Sequence, residues 1–252
     1  MDGGGGFDED SIVMRIRFRF RWIPFVATLL VVALGVSLGQ WQDRRAAQKT
    51  ALQARLAAGN AAAPLALGPR PLAPAQVEFR RVAVSGQFVP GWALYLDNRP
   101  YQGRAGFYLL MPFKIAGSDQ HVLVARGWLP RHSADRARLP VYATPAGVVS
   151  IEGIARLNAG HVMQLGTAAP LRPDAIVQNL DIGELVKASG LRLQPFIIEQ
   201  SGAAAAGDAL VRDWPAPALG VDKHRGYAFQ WYALALMALL FFVFTGFRRG
   251  PN

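Results

Sequence analysis

Hydrophobic positions along the chain fall into three regimes. Trp22–Gln42 holds 21 residues without a formal charge, and Gly226–Phe247 holds 22. Either run is long enough to cross a bilayer as a helix. Between them the period changes to two. Glu78–Val89, Ala93–Asn98, Phe107–Ile115, His121–Trp128, Val148–Leu157 and Pro195–Glu199 alternate or run apolar over strand lengths, with turn-rich gaps between. Pro90-Gly91 and Gly117-Ser118-Asp119 suit hairpin joints. Ile176–Leu193 behaves differently: Ile182, Leu185 and Val186 have helical spacing, with Asp181 as N-cap and Gly190 as stop. The pattern predicts a membrane protein of the α+β class. Two terminal transmembrane helices flank a mostly antiparallel β domain, barrel-like or an open sheet, with one short helix.

The flanks refine this division. Residues 1–21 form an N-terminal tail whose first 14 residues, with four glycines and Asp8-Glu9-Asp10, read as disordered. Arg15–Arg21 alternates arginine with apolar residues, which suits either a strand or a membrane surface with guanidiniums out and aromatics in. The first span, residues 22–42, ends in Gly39-Gln40-Trp41-Gln42-Asp43-Arg44-Arg45 rather than a small-x-small cleavage site, so it reads as retained. Residues 43–75 continue the helix to about Ala58 and then become an Ala/Pro/Gly linker. The β-rich domain occupies 76–225, the second span 226–247 and a short tail 248–252.

Charge sets the topology. Arg15, Arg17, Arg19 and Arg21 abut the first span and Arg248 and Arg249 follow the second, so both short ends favour the cytoplasm. The 183 residues between the spans carry 21 Lys or Arg and 13 Asp or Glu without a block, and are expected in the periplasm of a bacterial inner membrane. A net charge of +10 so distributed suits contact with anionic lipid, not nucleic-acid binding. With no cysteine there is no disulfide framework, thiolate metal site, c-type haem attachment or cysteine nucleophile.

His224 is the chemically most suggestive residue. It lies two residues before the uncharged run, where it is either an interfacial polar group or a ligand for haem iron or copper. His121, His132 and His161 lack metal-ligand spacing and read as structural or solvent-facing. Trp41 sits at an interface, where tryptophan is expected. Gln40 and Gln42 at the edge of hydrocarbon ask for a helix partner or a ligand, with the mouth of the second span, Gln230 and His224, as the natural place. Asp97-Asn98-Arg99-Pro100 either binds an anion or ties down its turn, and Arg126-Gly127-Trp128-Leu129-Pro130-Arg131 is similar. Nothing here marks an enzyme: no carboxylate pair suggests acid–base work, and no nucleophile elbow is present.

Taken together these stretches resemble the SURF1 (Shy1-like) family of cytochrome c oxidase assembly factors. The resemblance is carried by Leu38-Gly39-Gln40-Trp41-Gln42-x-Arg44, by Leu96-Asp97-Asn98-Arg99 with Gly106-Phe107-Tyr108, by Val124-x-Arg126-Gly127-Trp128-Leu129-Pro130, and by His224-x-x-Tyr227-Ala228-x-Gln230-Trp231-Tyr232. The family resemblance implies a non-enzymatic role in building the catalytic subunit of a haem–copper oxidase, with haem a as a transient ligand or cargo. It makes His224 the candidate ligand to haem iron, with Trp41 and Gln230 beside it. Arg99 and Arg126 are, on chemical grounds, candidates to pair with haem propionates. The expected partners are the oxidase catalytic subunit, membrane lipids and, as a second protein partner, haem a synthase. The competing reading is a scaffold that stabilises the nascent subunit and never ligates haem.

Overall fold

The computed structural model describes residues 16–18, 20–135, 138–164, 168, 170–202, 208–215 and 220–249. The tail expected to be disordered, residues 1–14, and most of the loop expected at 202–207 lie outside them. In chain order the elements are β1 (Ile16–Phe18), α1 (Trp22–Ala61), β2 (Leu65–Ala66), α2 (Pro74–Val77), β3 (Arg81–Phe88), β4 (Leu94–Leu96), β5 (Gly106–Ile115), β6 (Gln120–Pro130), β7 (Val149–Arg156), β8 (Ala175–Val177), α3 (Ile182–Ser189), β9 (Arg192–Gln200), α4 (Val221–Gly246) and β10 (Phe247–Arg249). They form two compact units, Met1–Gln53 with Ala218–Asn252, and Ala54–Pro217.

The first unit is a helix pair. Both α1 and α4 are long and apolar enough to cross a membrane. Their apolar side chains point outward: Ile23 is 85% exposed and Phe229 73%. A helix apolar on every side finds its solvent in lipid, and the chain is a two-span membrane protein. At 40 residues α1 is about 60 Å long, twice the hydrocarbon thickness, so its C-terminal half extends beyond the span. Pro24 sits in its first turn, where no intrahelical N–H is lost. The strand alternative for the arginine-rich tail is realised over Ile16–Phe18, which pairs antiparallel with Phe247–Arg249. Beside this ribbon Phe20, Phe25 and Phe242 cluster at 5.1–6.3 Å between ring centroids, an aromatic belt at the foot of the pair.

The second unit is a closed β structure. Pairing runs β3–β7–β9–β6–β5, and β5 then returns to β3 through Gly86↔Ile115, Gln87↔Lys114 and Phe88↔Phe113. Four of the five contacts around this ring are antiparallel; β6 with β9 is parallel. Pro195 sits where the β6–β9 register slips, a place where a missing N–H costs little. Outside the ring, β2 runs parallel to β3, and β4 pairs with β5 and β8. The Leu65–Ala66 part of the Ala/Pro stretch is therefore built into the sheet.

The barrel interior is filled by Phe88, Phe107, Met111, Phe113, Val122, Val124, Phe196 and Ile198. A second core lies on the outer face of β5, β6 and β9, where Leu110, Leu123, Ala125 and Ile197 pack under β4, β8 and Leu185 of α3. Strands covered on both faces lose strict alternation and become continuous apolar runs, which is how β5 and β6 read. α3 has the expected ends: Asp181 accepts the Glu184 N–H at 2.9 Å, and Gly190 closes it in the left-handed region. Gly117 turns the β5–β6 hairpin with φ of 70°. The hairpin expected at Pro90-Gly91 does not form. A single 3-10 turn, Pro90–Trp92, carries the chain from β3 to β4, and the two strands lie side by side along β5 rather than against each other.

Closure of the ring rests on a close backbone approach. A Cβ on Gly86 would collide with the carbonyl oxygen of Lys114 and lie 2.8 Å from the Phe113 ring. Gly86→Ala is expected to cost about 2 kcal/mol, roughly 4–8 °C in the unfolding temperature of the purified chain. Gly91→Ala, which meets nothing within 4 Å, is expected to move it by less than about 0.5 kcal/mol. Thermal unfolding of both variants in one mild detergent checks the contrast.

Candidate functional site

The site is built on a stripe of α1. Gly35, Gly39, Gln42 and Ala46 are its buried positions across the span and its mouth, spaced four, three and four residues apart and so on one helical face. That face receives α4. A Cβ on Gly35 would come within 3.0 Å of the Ala235 Cβ and the Trp231 carbonyl oxygen, and one on Gly39 within 2.7 Å of Tyr232 Cζ. This is the small-xxx-small packing by which membrane helices approach where lipid offers no hydrophobic drive. The Tyr232 ring lies over bare Gly39 backbone, and its hydroxyl donates to Asp43 Oδ2 at 2.8 Å.

Beside it the same helix contact carries a second polar pair. α4 begins at Val221 after Gly220 in the left-handed region, so Asp222-Lys223-His224-Arg225 is its first turn. His224 falls on the α1 side, half-buried, with Nδ1 2.7 Å from Gln42 Oε1. A carbonyl oxygen accepts, so a neutral ring facing it would carry its proton on Nδ1 and its lone pair on Nε2. Of the three glutamines at the two mouths, the helices bring together only Gln42 with the histidine. Gln40 and Gln230 are exposed on other faces. Trp41 is 44% exposed, with the Arg45 guanidinium 5.8 Å above its ring. Arg44, Lys223 and Arg225 are exposed, a set of cations on the two mouths.

Arg99 and Arg126 belong to the β unit, and there their guanidiniums are engaged internally. Arg99 is 6% exposed and donates to the carbonyls of Asp97, Asn98, Gly160 and Gln178 at 3.1–3.4 Å. Its own carbonyl accepts the Trp128 indole N–H at 2.7 Å, and Arg131 pairs with Asp97. The two motif blocks are thus tied to each other at one end of the barrel. Arg126 is the extra residue of a β-bulge: Leu109 faces Gly127 and Leu110 faces Ala125, with nothing opposite Arg126. At 1% exposure it lies 4.5 Å over the Phe88 ring and donates to Thr144 Oγ1 at 3.0 Å and the Ala143 carbonyl at 2.7 Å. Burial pulls both guanidiniums below their ordinary value.

Sequence reasoning passed over a cleft of about 290 Å³ in this unit, lined by Glu78, Phe79, Tyr108, Arg156, Asn158 and Glu199 among others. Arg156 pairs with Glu199 at 2.8 Å, and burial still raises the Glu199 carboxyl. Phe79 has φ of 64°, rare for a bulky residue, and lies between the Arg55 and Arg156 guanidiniums at 5.7 and 5.2 Å. Of the remaining histidines, His121 is buried at the start of β6, and His132 Nδ1 accepts the Asp135 N–H at 3.0 Å. Among the described residues no group of three His, Cys, Asp or Glu is placed to hold a metal ion.

The sequence profile described as the SURF1 family matches residues 29–236. A SURF1-like protein of Monosiga brevicollis is 27% identical over 239 residues, 90% of this chain and 88% of its own length. Surfeit locus protein 1 of Mus musculus is 26% identical over 220 residues, 82% of this chain and 70% of its own. The cytochrome oxidase assembly protein SHY1 of Saccharomyces cerevisiae is 32% identical over 95 residues, covering 36% of this chain and 24% of its own.

Because Arg99 holds several backbone carbonyls in a planar fork, an ammonium does not replace it. Arg99→Lys is expected to destabilise the chain by about 2–4 kcal/mol. Limited proteolysis against temperature, with the β domain cleaved at lower temperature than in wild type, checks it.

Proposed function

The chain belongs to the SURF1 family, and from that premise we propose that it is an assembly factor for a haem–copper (cytochrome c) oxidase that receives haem a and assists its insertion into the catalytic subunit. The family's proteins are assembly factors rather than enzymes. SHY1, with which this chain shares a stretch of 95 residues, is named for cytochrome oxidase assembly. The proposal places the protein in a bacterial inner membrane with both termini cytoplasmic, since the arginines of both short ends favour that side. Its partners are the oxidase catalytic subunit, membrane lipids and haem a synthase as the source of the cargo.

The observation that carries the haem reading is the imidazole of His224. It stands at the mouth of a membrane helix with Nδ1 2.7 Å from Gln42 Oε1, which leaves Nε2 outside that bond. A neutral imidazole so held is a competent ligand for haem iron. The surroundings suit the rest of an amphipathic macrocycle. Trp41 and Tyr227 are exposed aromatic surfaces, and Arg44, Arg45, Lys223 and Arg225 are exposed cations for propionates, while Gln230, on another face, leaves the proposal. Arg99 and Arg126 leave this proposal, because their guanidiniums are buried against internal carbonyls and rings. A single protein ligand suits a cargo that must depart.

The test is an optical spectrum of wild type and His224→Ala, each purified in mild detergent from cells that make haem a. A haem a Soret band in wild type, absent from a folded and membrane-inserted variant, is expected. No band in either protein, with oxidase subunits still copurifying, would replace this reading with the scaffold.

A further inference from the structure

We propose that Gln42 is the positioning residue for His224: its side-chain carbonyl holds the proton on Nδ1 and so fixes Nε2 as the nitrogen offered to a ligand. The inference rests on the ligand reading above but concerns a property of the chain without cargo. A neutral imidazole has one N–H and one lone pair, and which nitrogen carries which is decided by the hydrogen bond the ring makes. Gln42 Oε1, 2.7 Å from Nδ1, makes that decision.

Its authority comes from where it stands. Gln42 is only 9% exposed and shares the α1 stripe with Gly35, Gly39 and Ala46, so the amide is placed by helix packing rather than by a mobile loop. The stripe is pinned one turn below by the Tyr232 ring over Gly39, and the Tyr232–Asp43 hydrogen bond ties the residue next to Gln42. Gln42 therefore acts on the ligand through His224 and touches no cargo itself.

The chemical class of the acceptor matters. A carboxylate on the far nitrogen would make the imidazole a stronger donor to a metal, as in carboxylate–histidine–metal arrangements. An amide carbonyl orients the ring without that added basicity. An orienting but neutral partner suits a ligand that must let its iron go.

The experiment uses the full-length chain in detergent micelles, labelled with ¹⁵N-histidine, of which there are four. The His224 signal is identified by its loss in His224→Ala, and long-range proton–nitrogen spectra read the tautomer. Wild type is expected to show Nδ1 protonated and Nε2 bare; Gln42→Leu a mixture of tautomers; Gln42→Glu the wild-type tautomer restored. Iron(III) protoporphyrin is then titrated into each protein, and its loss to excess apomyoglobin timed. Affinity is expected to fall about 10- to 100-fold in Gln42→Leu, and release to be slower in Gln42→Glu than in wild type. An unchanged tautomer in Gln42→Leu overturns the proposal whatever the porphyrin does. If the tautomers shift as expected and no protein takes up porphyrin, the positioning pair is upheld and the haem reading falls.

Discussion

The approach of Tyr232 to the uncovered backbone of Gly39 sets how the two membrane helices meet, and the chemistry at their mouth follows from it. Lipid provides no hydrophobic drive for two apolar helices to associate, so close packing and a few polar bonds must hold them. Gly35 and Gly39 supply the closeness. With the helical phase so fixed, Gln42 has one direction to face, and it meets His224. Asp43, next along, meets the tyrosine hydroxyl. Any side chain on Gly39 would displace the ring that stands there and, through it, both polar pairs.

The β unit solves a related problem differently. Its motif arginines are enclosed by the fold's own acceptors. Arg99 gathers carbonyls from three separate segments around 97–98, 160 and 178, while Trp128 returns a bond to its backbone. These contacts tie the end of β4 to the end of β6 and the loops beyond, across a barrel whose closure elsewhere depends on three register pairs between β3 and β5. Arginine suits this task because its planar fork addresses several acceptors at once and is less strongly hydrated than an ammonium.

How much of this was legible depends on whether the governing signal was local. The two spans, α3 with both its ends and the strands β3, β5, β6, β7 and β9 follow from periodicity and caps, signals carried within a few residues. Barrel closure does not, since Gly86 looks like any strand glycine until Lys114 lies against it. Nor does the phase change in β6. Val122 and Val124 face the interior, the bulge at Arg126-Gly127 adds a residue, and Leu129 then faces inward where strict alternation would turn it out. At the helix mouths, a demand for a partner to the interfacial glutamines was visible, but three amides competed. The choice was present in the helical phase: Gln42 lies three residues beyond Gly39 and seven beyond Gly35, on the small-residue stripe, and Gln40 does not. Following that stripe through to its end would have singled out Gln42.

The two arginines and the histidine looked alike as candidates because each is a polar residue in a marked motif; what separates them is the valence left over once the fold has taken its share. Arg99 donates from both terminal nitrogens to backbone oxygens. Arg126 retains an Nε–H without an acceptor among the described residues, but it is sealed between aromatic rings. His224 is engaged at one nitrogen, Nδ1, and is half-exposed. A buried guanidinium has no second state that a ligand can use, being a donor throughout, whereas an imidazole held at one end is an acceptor at the other. The fold therefore makes structural ties of the arginines and leaves the histidine half-exposed at the helix mouth, the property on which the proposed haem role rests.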